Sequence, residues 1–430
     1  MKDIALGVYD GPHATPAPSD SGPVFLGIKN ITEDGRLDLN DVRHIADEEF
    51  ARWTKRVLPR KDDIVFSYEA TLNRYALIPE GLKCCLGRRM ALIRVDQTKV
   101  NPRFLYHYFF GGEWRNVIKT NSVVGATVDR LPIADFPEFP LRLPSLAEQD
   151  RIASVLSALD DKIALNTRIN AELEAMAKLL YDYWFVQFDF PNAKGKPGSG
   201  AGPRPYKSSG GAMVFNAELK REVPEGWEVK PIGDLVYCYD NERVPLEKSV
   251  RAKRQGVIPY YGATGIFDYI DAHIFEGEYV LFAEDGSIMD AQGWPIVQFI
   301  TGKAWVNNHA HVLQSKAEGH NEFIFQRLKK IPVVTVMTGS IQKKITGGNL
   351  LGYRIAYPGD KLVSAYCEAV KPMRATIFNL ERQNQELTTL RDWLLPMLMN
   401  GQVVVGEAEE KMGLAMAAEG QAKYGKSTKA

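Results

Sequence analysis

His309 and His311 stand two apart in "WVNNHAHVLQ", a spacing that points both rings to one face of a strand and could offer a metal ion two nitrogens. No third ligand stands nearby in sequence, and imidazoles so placed more commonly serve turns and hydrogen bonds. Glu69 and Glu284 are carboxylates at corresponding ends of two β-type runs, where an acid can cap a turn or order a neighbouring basic side chain. The cysteines Cys84, Cys85, Cys238 and Cys367 show no CxxC spacing, and an adjacent pair suits neither zinc nor a disulfide framework. The expected setting is the reducing cytoplasm. No GxxxxGK[ST] loop is present for nucleotide hydrolysis, and no Asn-Pro-Pro-Tyr or Asp-Pro-Pro-Tyr segment to grip a target base. "FFGGEW" (109–114) lacks the glycine spacing of a cofactor loop and reads as a helix end. "EVK" (228–230) has the look of a nuclease metal motif without an acidic partner before it. These residues predict a chain with no catalysis, metal or cofactor of its own.

Bulk composition adds little for or against nucleic acid. The 53 Lys and Arg residues balance 53 Asp and Glu, for a formal net charge of +0. A lone DNA binder gains most of its affinity by neutralising phosphates and usually carries a basic excess. Any DNA grip must therefore come from basic residues gathered on one face or from a partner. With 45% hydrophobic and 25% charged residues in 430, the chain reads as a globular protein of two or more domains. No apolar run reaches the length of a membrane span, and the first ten residues lack a signal-peptide layout.

The elements that must position such residues occur twice. A long helical segment follows Pro144 and a second follows Pro358; aligning the two prolines sets Ile163 on Ile377, Asn170 on Asn384 and Leu180 on Leu394. Both carry a three-then-four spacing. In the first it runs Leu156, Leu159, Ile163, Asn166, Asn170, Leu173, Ala177, Leu180, Trp184. In the second it runs Val370, Met373, Ile377, Leu380, Asn384, Leu387, Arg391, Leu394, Leu398. A period near 3.5 keeps one narrow stripe against a partner helix, and polar residues inside it can fix register. The two helices are predicted to pair with each other, with Pro372 marking the true start of the second or a kink, and Pro396 bending or ending it.

The upstream segments also correspond. "DDIVFSYEA" (62–70) faces "GEYVLFAED" (277–285), which sets Glu69 on Glu284, and "GPVFLGIKNI" (22–31) faces "GVIPYYGATGI" (256–266). "LIPEGLKCCLGRRMALIR" (77–94) faces "FITGKAWVNNHAHVLQ" (299–314), each strand, turn and strand. The expectation is an α/β (α+β) chain with two similar globules, 1–144 and 227–358. Each is followed by a spacer helix, 145–190 and 359–403, the two pairing antiparallel. A Gly/Pro/Ser-rich connection covers 191–226, and a disordered tail covers 404–430.

The order globule, helix, globule, helix resembles the specificity subunit of type I restriction–modification systems. The resemblance rests on "LPSLAEQDRIASVLSALDDKI" (143–163), "NAELEAMAKLLYDYWF" (170–185), "SSGGAMVFNAELKREVPEGWEVKPIGDL" (208–235) and "NLERQNQELTTLRDWLLPMLMNGQV" (379–403). It implies that each globule is a target recognition domain for one part of an interrupted, asymmetric site in double-stranded DNA, with the helices as a spacer. Two methyltransferase subunits would dock on the helical regions, and restriction (translocase) subunits would join through them. S-adenosylmethionine would then belong to the methyltransferase, and ATP and Mg to the restriction subunit. A helix from Leu156 to Trp184 spans on the order of 43 Å at 1.5 Å per residue, comparable to the roughly 34–36 Å between readers one duplex turn apart.

On that reading the candidate DNA contacts are polar and basic loop residues. They are Lys29, Asn30, Arg88, Arg89 and Arg130 in the first half. In the second they are Tyr261, Thr264, Asn308, His309, Gln342, Lys343 and Lys344. Arg251, Lys253 and Arg254 form a basic cluster that serves equally as a solvated face. Two other readings stay open: a specificity subunit of a type IIB-like restriction enzyme, and a coiled-coil adaptor that binds protein only.

Overall fold

The computed structural model describes residues 1–123, 128–192, 204–339, 343–403 and 405–406. Gln342, the stretch 193–203 of the connection and, apart from Val405 and Gly406, the tail from 404 onward lie outside the described residues. Two compact units divide the chain: Met1–Leu165 with Gln383–Ala430, and Asn166–Arg382. Each long helix therefore supplies one part to each unit. Among the described residues no helix is long and apolar enough to cross a membrane.

In the first unit the run Ile64–Ser67 is buried at every position, as a strand enclosed on both faces requires. It pairs antiparallel with Met90–Val95 on one side and Tyr75–Leu77 on the other. A second sheet sets Ser19–Leu26 parallel to Cys84–Leu86. The second unit has a single six-stranded sheet with the same local order. There Phe275–Ala283 lies between Val297–Val306 and Ala310–Ser315, and Gln255–Gly262 runs parallel to Val297–Val306. One ten-residue strand, Val297–Val306, stands where the first unit has two short ones.

A short helix follows each sheet and is tied to the long one. Asn101 caps Pro102–Tyr108, with proline at the first turn, and its Nδ2 donates to Asp150 at 2.8 Å. His320 occupies the same place before Asn321–Leu328 and bonds Ser364 Oγ at 2.8 Å.

The long helices are Leu146–Tyr181, which continues into a π-turn Asp182–Val186, and Asp360–Met399. No position of either three-then-four stripe is exposed. In the first unit Leu156, Leu159 and Ile163 share a core with Leu387, Leu394, Leu398 and Val405, and Asp160 meets Arg391 at 2.9 Å. In the second unit Asn170 donates to the Ile377 carbonyl, Glu174 meets Arg374, and the Ala177 carbonyl accepts from Tyr366 Oη. Partners that fall in number as their mates rise describe antiparallel helices.

Pro372 does not mark the helix start and Pro396 does not end it, which corrects those two expectations: Asp360–Met399 runs through both. A helical proline costs about 3 kcal/mol through one lost hydrogen bond and a steric clash. Upstream, Val363, Tyr366, Cys367 and Val370 are buried in the second unit's core and outweigh that cost. Pro372 itself faces solvent, where the freed carbonyl reaches water. The helix stops at Gly401, whose φ of 67° suits a glycine terminator.

His107 is buried beside Ser157 and Asp160 in the first unit. Burial, then the charges of Arg391 and Arg103, push its imidazole down to about 3. The unfolded chain takes up this proton near pH 6.5 and the folded chain refuses it. His107's contribution is thus complete above about pH 6.5 and lost as pH falls toward 3, by up to about 1.4 kcal/mol per pH unit. Burial also raises the Asp160 carboxyl, which offsets part of that loss at the acid end. His107→Gln should flatten the pH dependence of urea-unfolding stability over this window. Parallel curves for variant and parent would refute the assignment.

Candidate nucleic-acid interface

One end of each sheet carries most of the candidate contacts, and the backbone builds the two ends alike. In the first unit Gly87 N–H donates to the Leu26 carbonyl at 2.7 Å, Tyr68 N–H to the Arg89 carbonyl at 3.1 Å, and Leu131 N–H to the Tyr68 carbonyl at 2.7 Å. In the second, Asn307 N–H donates to the Tyr261 carbonyl at 3.1 Å, Glu284 N–H to the His309 carbonyl at 2.9 Å, and Ile345 N–H to the Glu284 carbonyl at 2.8 Å. These bonds equate Leu26 with Tyr261, Gly87 with Asn307, Arg89 with His309, Tyr68 with Glu284 and Leu131 with Ile345. The sequence alignment of the sheets is therefore one residue out of register. Glu69 corresponds to Asp285, not to Glu284.

The corrected register brings out a shared set of side chains. Glu69 pairs with Arg89 at 3.1 Å and forms a β-bridge with Arg130. Asp285 pairs with His309 and forms a β-bridge with Lys344. Each unit thus has a carboxylate holding the basic residue of a hairpin turn, Arg89 or His309, beside Arg130 or Lys344 on a returning segment. The turns are tightly built. A Cβ at Gly87 would meet the Leu26 carbonyl oxygen at 2.4 Å, and Arg89 is held at φ 141°, where side chains rarely go. Asn307 fixes its own turn by accepting from His309 N–H at 2.8 Å.

The remaining candidates divide. Arg88, Arg130, Thr264, Asn308, Lys343 and Lys344 are exposed, while Tyr261 is half-buried. Lys29 is exposed and paired with Asp41 at 2.6 Å. Asn30 is buried. It accepts from Gly27 N–H and donates to the Asp38 and Asp41 carbonyls, so it shapes its loop and presents nothing outward. Lys344 reaches Glu284 at 2.8 Å. In the basic cluster Arg251 pairs with Asp268 and Arg254 with Asp271, leaving Lys253 exposed. Beside Thr264, Asn308 and His309 opens a cleft of about 580 Å³, also lined by Arg251, Tyr260 and Phe267. Gln298 Nε2 pins the loop at its rim through the Gly262 and Ala263 carbonyls.

The two histidines part company. His309 turns to Asp285, while His311 is buried with Asp240 and Glu284, which the sequence did not reveal as neighbours. Asp240, Glu284 and His311 lie close enough to bracket a cation. Arg243 lies 2.7 Å from Glu284 and Lys344 2.8 Å from it, so positive charge is already supplied. His311 spends one ring nitrogen on Asp240 and the other on the Ile345 carbonyl, leaving no lone pair free for a metal. Burial lowers the His311 pKa, but the bond to Asp240 and the nearby Glu284 charge outweigh it and the net shift is upward. The set is an ion-pair knot beneath the turn.

The chain is similar over most of its length to known proteins. A family model described as the type I restriction modification DNA specificity domain matches residues 25–175 and again 224–386. The specificity subunit of the type I restriction enzyme MjaIX of Methanocaldococcus jannaschii is 25% identical over 386 residues, covering 85% of this chain and 83% of that one. The specificity subunit of the type I restriction enzyme HindI of Haemophilus influenzae is 22% identical over 402 residues, covering 80% and 87%. The solved S subunit of a type I restriction-modification system from M. genitalium has the same fold, with a TM-score of 0.51 at 13% identity over 92% of this chain and 94% of that one. With the domain matched once in each half, the chain belongs to the type I restriction modification DNA specificity family.

Proposed function

We propose that this chain is the non-catalytic, DNA-reading subunit of a type I restriction–modification enzyme, each unit reading one part of a two-part asymmetric site. The observation that carries the reading is the repeated hairpin end, where a carboxylate-held basic side chain and an exposed turn residue recur at equivalent positions of the same hydrogen-bond frame. Arg88, Arg89, Arg130 and Lys29 would contact DNA from the first unit. Tyr261, Thr264, Asn308, His309, Lys343 and Lys344 would do so from the second, and Gln342 stays a candidate from sequence alone. Phosphate contacts place a reader and base-edge contacts give it preference.

Two methyltransferase subunits would dock on the long helices. Supporting this, Leu179 is 66% exposed and Trp393, its counterpart in the repeat, 40% exposed, so each helix offers an apolar residue outward at the same position. Restriction subunits would join through that assembly, bringing their own ATP and Mg, while S-adenosylmethionine belongs to the methyltransferase. The four unbridged cysteines suit the cytoplasm.

A chain of net charge +0 should hold DNA weakly alone and selectively with its methyltransferase. Gel shifts on mixed DNA with and without that partner test this. Arg130→Ala in the complex should weaken binding evenly across sequences and reduce the slope of log K against log salt by about 1. Methylation by the lone chain would overturn the non-catalytic assignment. No selective binding even in the complex would favour a protein-only adaptor.

A further inference from the structure

The hydrogen-bond register that equates Gly87 with Asn307 and Arg89 with His309 sets Arg88 and Asn308 at one equivalent position. Each follows a residue anchored to the parallel neighbouring strand and precedes a basic side chain, Arg89 or His309, held by a carboxylate. Each is exposed, and among the described residues neither side chain makes a hydrogen bond or ion pair. The flanking residues are committed to the frame, and the one between them is left to a ligand. A reading side chain needs this kind of rigid support, because base-edge recognition fails when the donor wanders.

We infer that Arg88 reads a guanine and Asn308 an adenine, one in each part of the DNA site, which deepens and rests on the function proposed above. The arginine fork matches the O6 and N7 acceptors of guanine in the major groove, and the asparagine amide matches the N6 donor and N7 acceptor of adenine. An asparagine amide can also donate to a phosphate, but it brings no charge to neutralise one, whereas its paired donor and acceptor are both used at an adenine edge. Since Arg88 stands where Asn308 stands, the shared position is assigned to base edges in both units, while Arg130 and Lys344 remain beside it for the backbone.

The test produces the chain together with its methyltransferase and maps methylated sequences by modification-sensitive DNA sequencing. Arg88→Ala should cost one G·C position its preference, roughly five- to 150-fold, in one part of the motif and leave the other part intact. Arg88→Lys keeps the charge and loses the fork, so it should relax the same position even if the alanine variant folds poorly. Asn308→Ala should relax an A·T position in the other part, and Asn308→Gln should restore it. A uniform fall in methylation with the motif unchanged would make these phosphate contacts and overturn the inference, as would an unaltered motif at full rate. Failure of the parent complex to methylate any defined sequence would instead sink the function on which the inference rests.

Discussion

Arg374→Ala should lower the chain's unfolding free energy by about 3–5 kcal/mol, the cost of leaving the buried Glu322 carboxylate without its cation. Arg374 is only 7% exposed and lies within the second unit. Its guanidinium meets Glu322 at 2.8 and 3.1 Å and Glu174 at 3.1 Å. Phe299, Phe325 and Phe378 surround it with ring centroids 5.0, 4.9 and 5.8 Å away. Glu322, on the short helix Asn321–Leu328, is itself buried, so water cannot replace the lost partner. The same residue thus joins three elements: the short helix and both long ones. Urea unfolding followed by fluorescence measures the loss. A double variant, Arg374→Met with Glu322→Gln, should recover much of it, because an uncharged replacement leaves no stranded ion. A loss below about 1 kcal/mol for Arg374→Ala would mean that Glu322 rehydrates or neutralises, and the joint would not depend on this charge.

The second large effect lies in the first unit, at Asp160 and Arg391. Arg391→Asp should set two carboxylates together at a site where burial already raises the Asp160 carboxyl. The expected cost is again about 3–5 kcal/mol. Asp160→Arg should cost a similar amount by opposing Arg391. Carrying both changes rebuilds the pair with its sign reversed and should return stability to within about 2 kcal/mol of the parent, with the coupling measured as a double-mutant cycle. His107 stays beside the substituted position and there meets a cation in place of a carboxylate, so restoration will be incomplete. If the double variant is as unstable as the sum of the singles, the pair carries no mutual recognition and register is set by the apolar stripe alone.

The helical half of the fold was plain in the sequence because a 3.5-residue period is written directly in side-chain type. Leu156, Leu159 and Ile163 could be aligned with Val370, Met373 and Ile377 without knowing any contact. Strand register was less legible. Glu69 and Glu284 matched by residue name, yet the amide and carbonyl partners of Tyr68 and Glu284 set Glu69 against Asp285. Backbone bonding leaves no trace in residue identity, and one residue of slip exchanges the two faces of a strand. Asn30 shows a related limit, since a loop asparagine looks the same whether its amide turns inward or outward. The ion network of Arg374 was missed because its partners Glu174 and Glu322 lie 200 and 52 residues away. An arginine one position past a seam residue, Met373, was the available signal.

The interhelical ion pairs share a polarity. In the first unit the acid, Asp160, comes from the earlier helix and the base, Arg391, from the later one; in the second unit Glu174 and Arg374 repeat that assignment. Twin copies of either helix, drawn from two polypeptides, would confront acid with acid or base with base at partly buried sites. Electrostatics therefore makes the spine self-complementary only as a mixed couple. A gene severed between its halves would still encode fragments that prefer each other, and a recombinant that fused two like halves would have to re-invent the opposite sign.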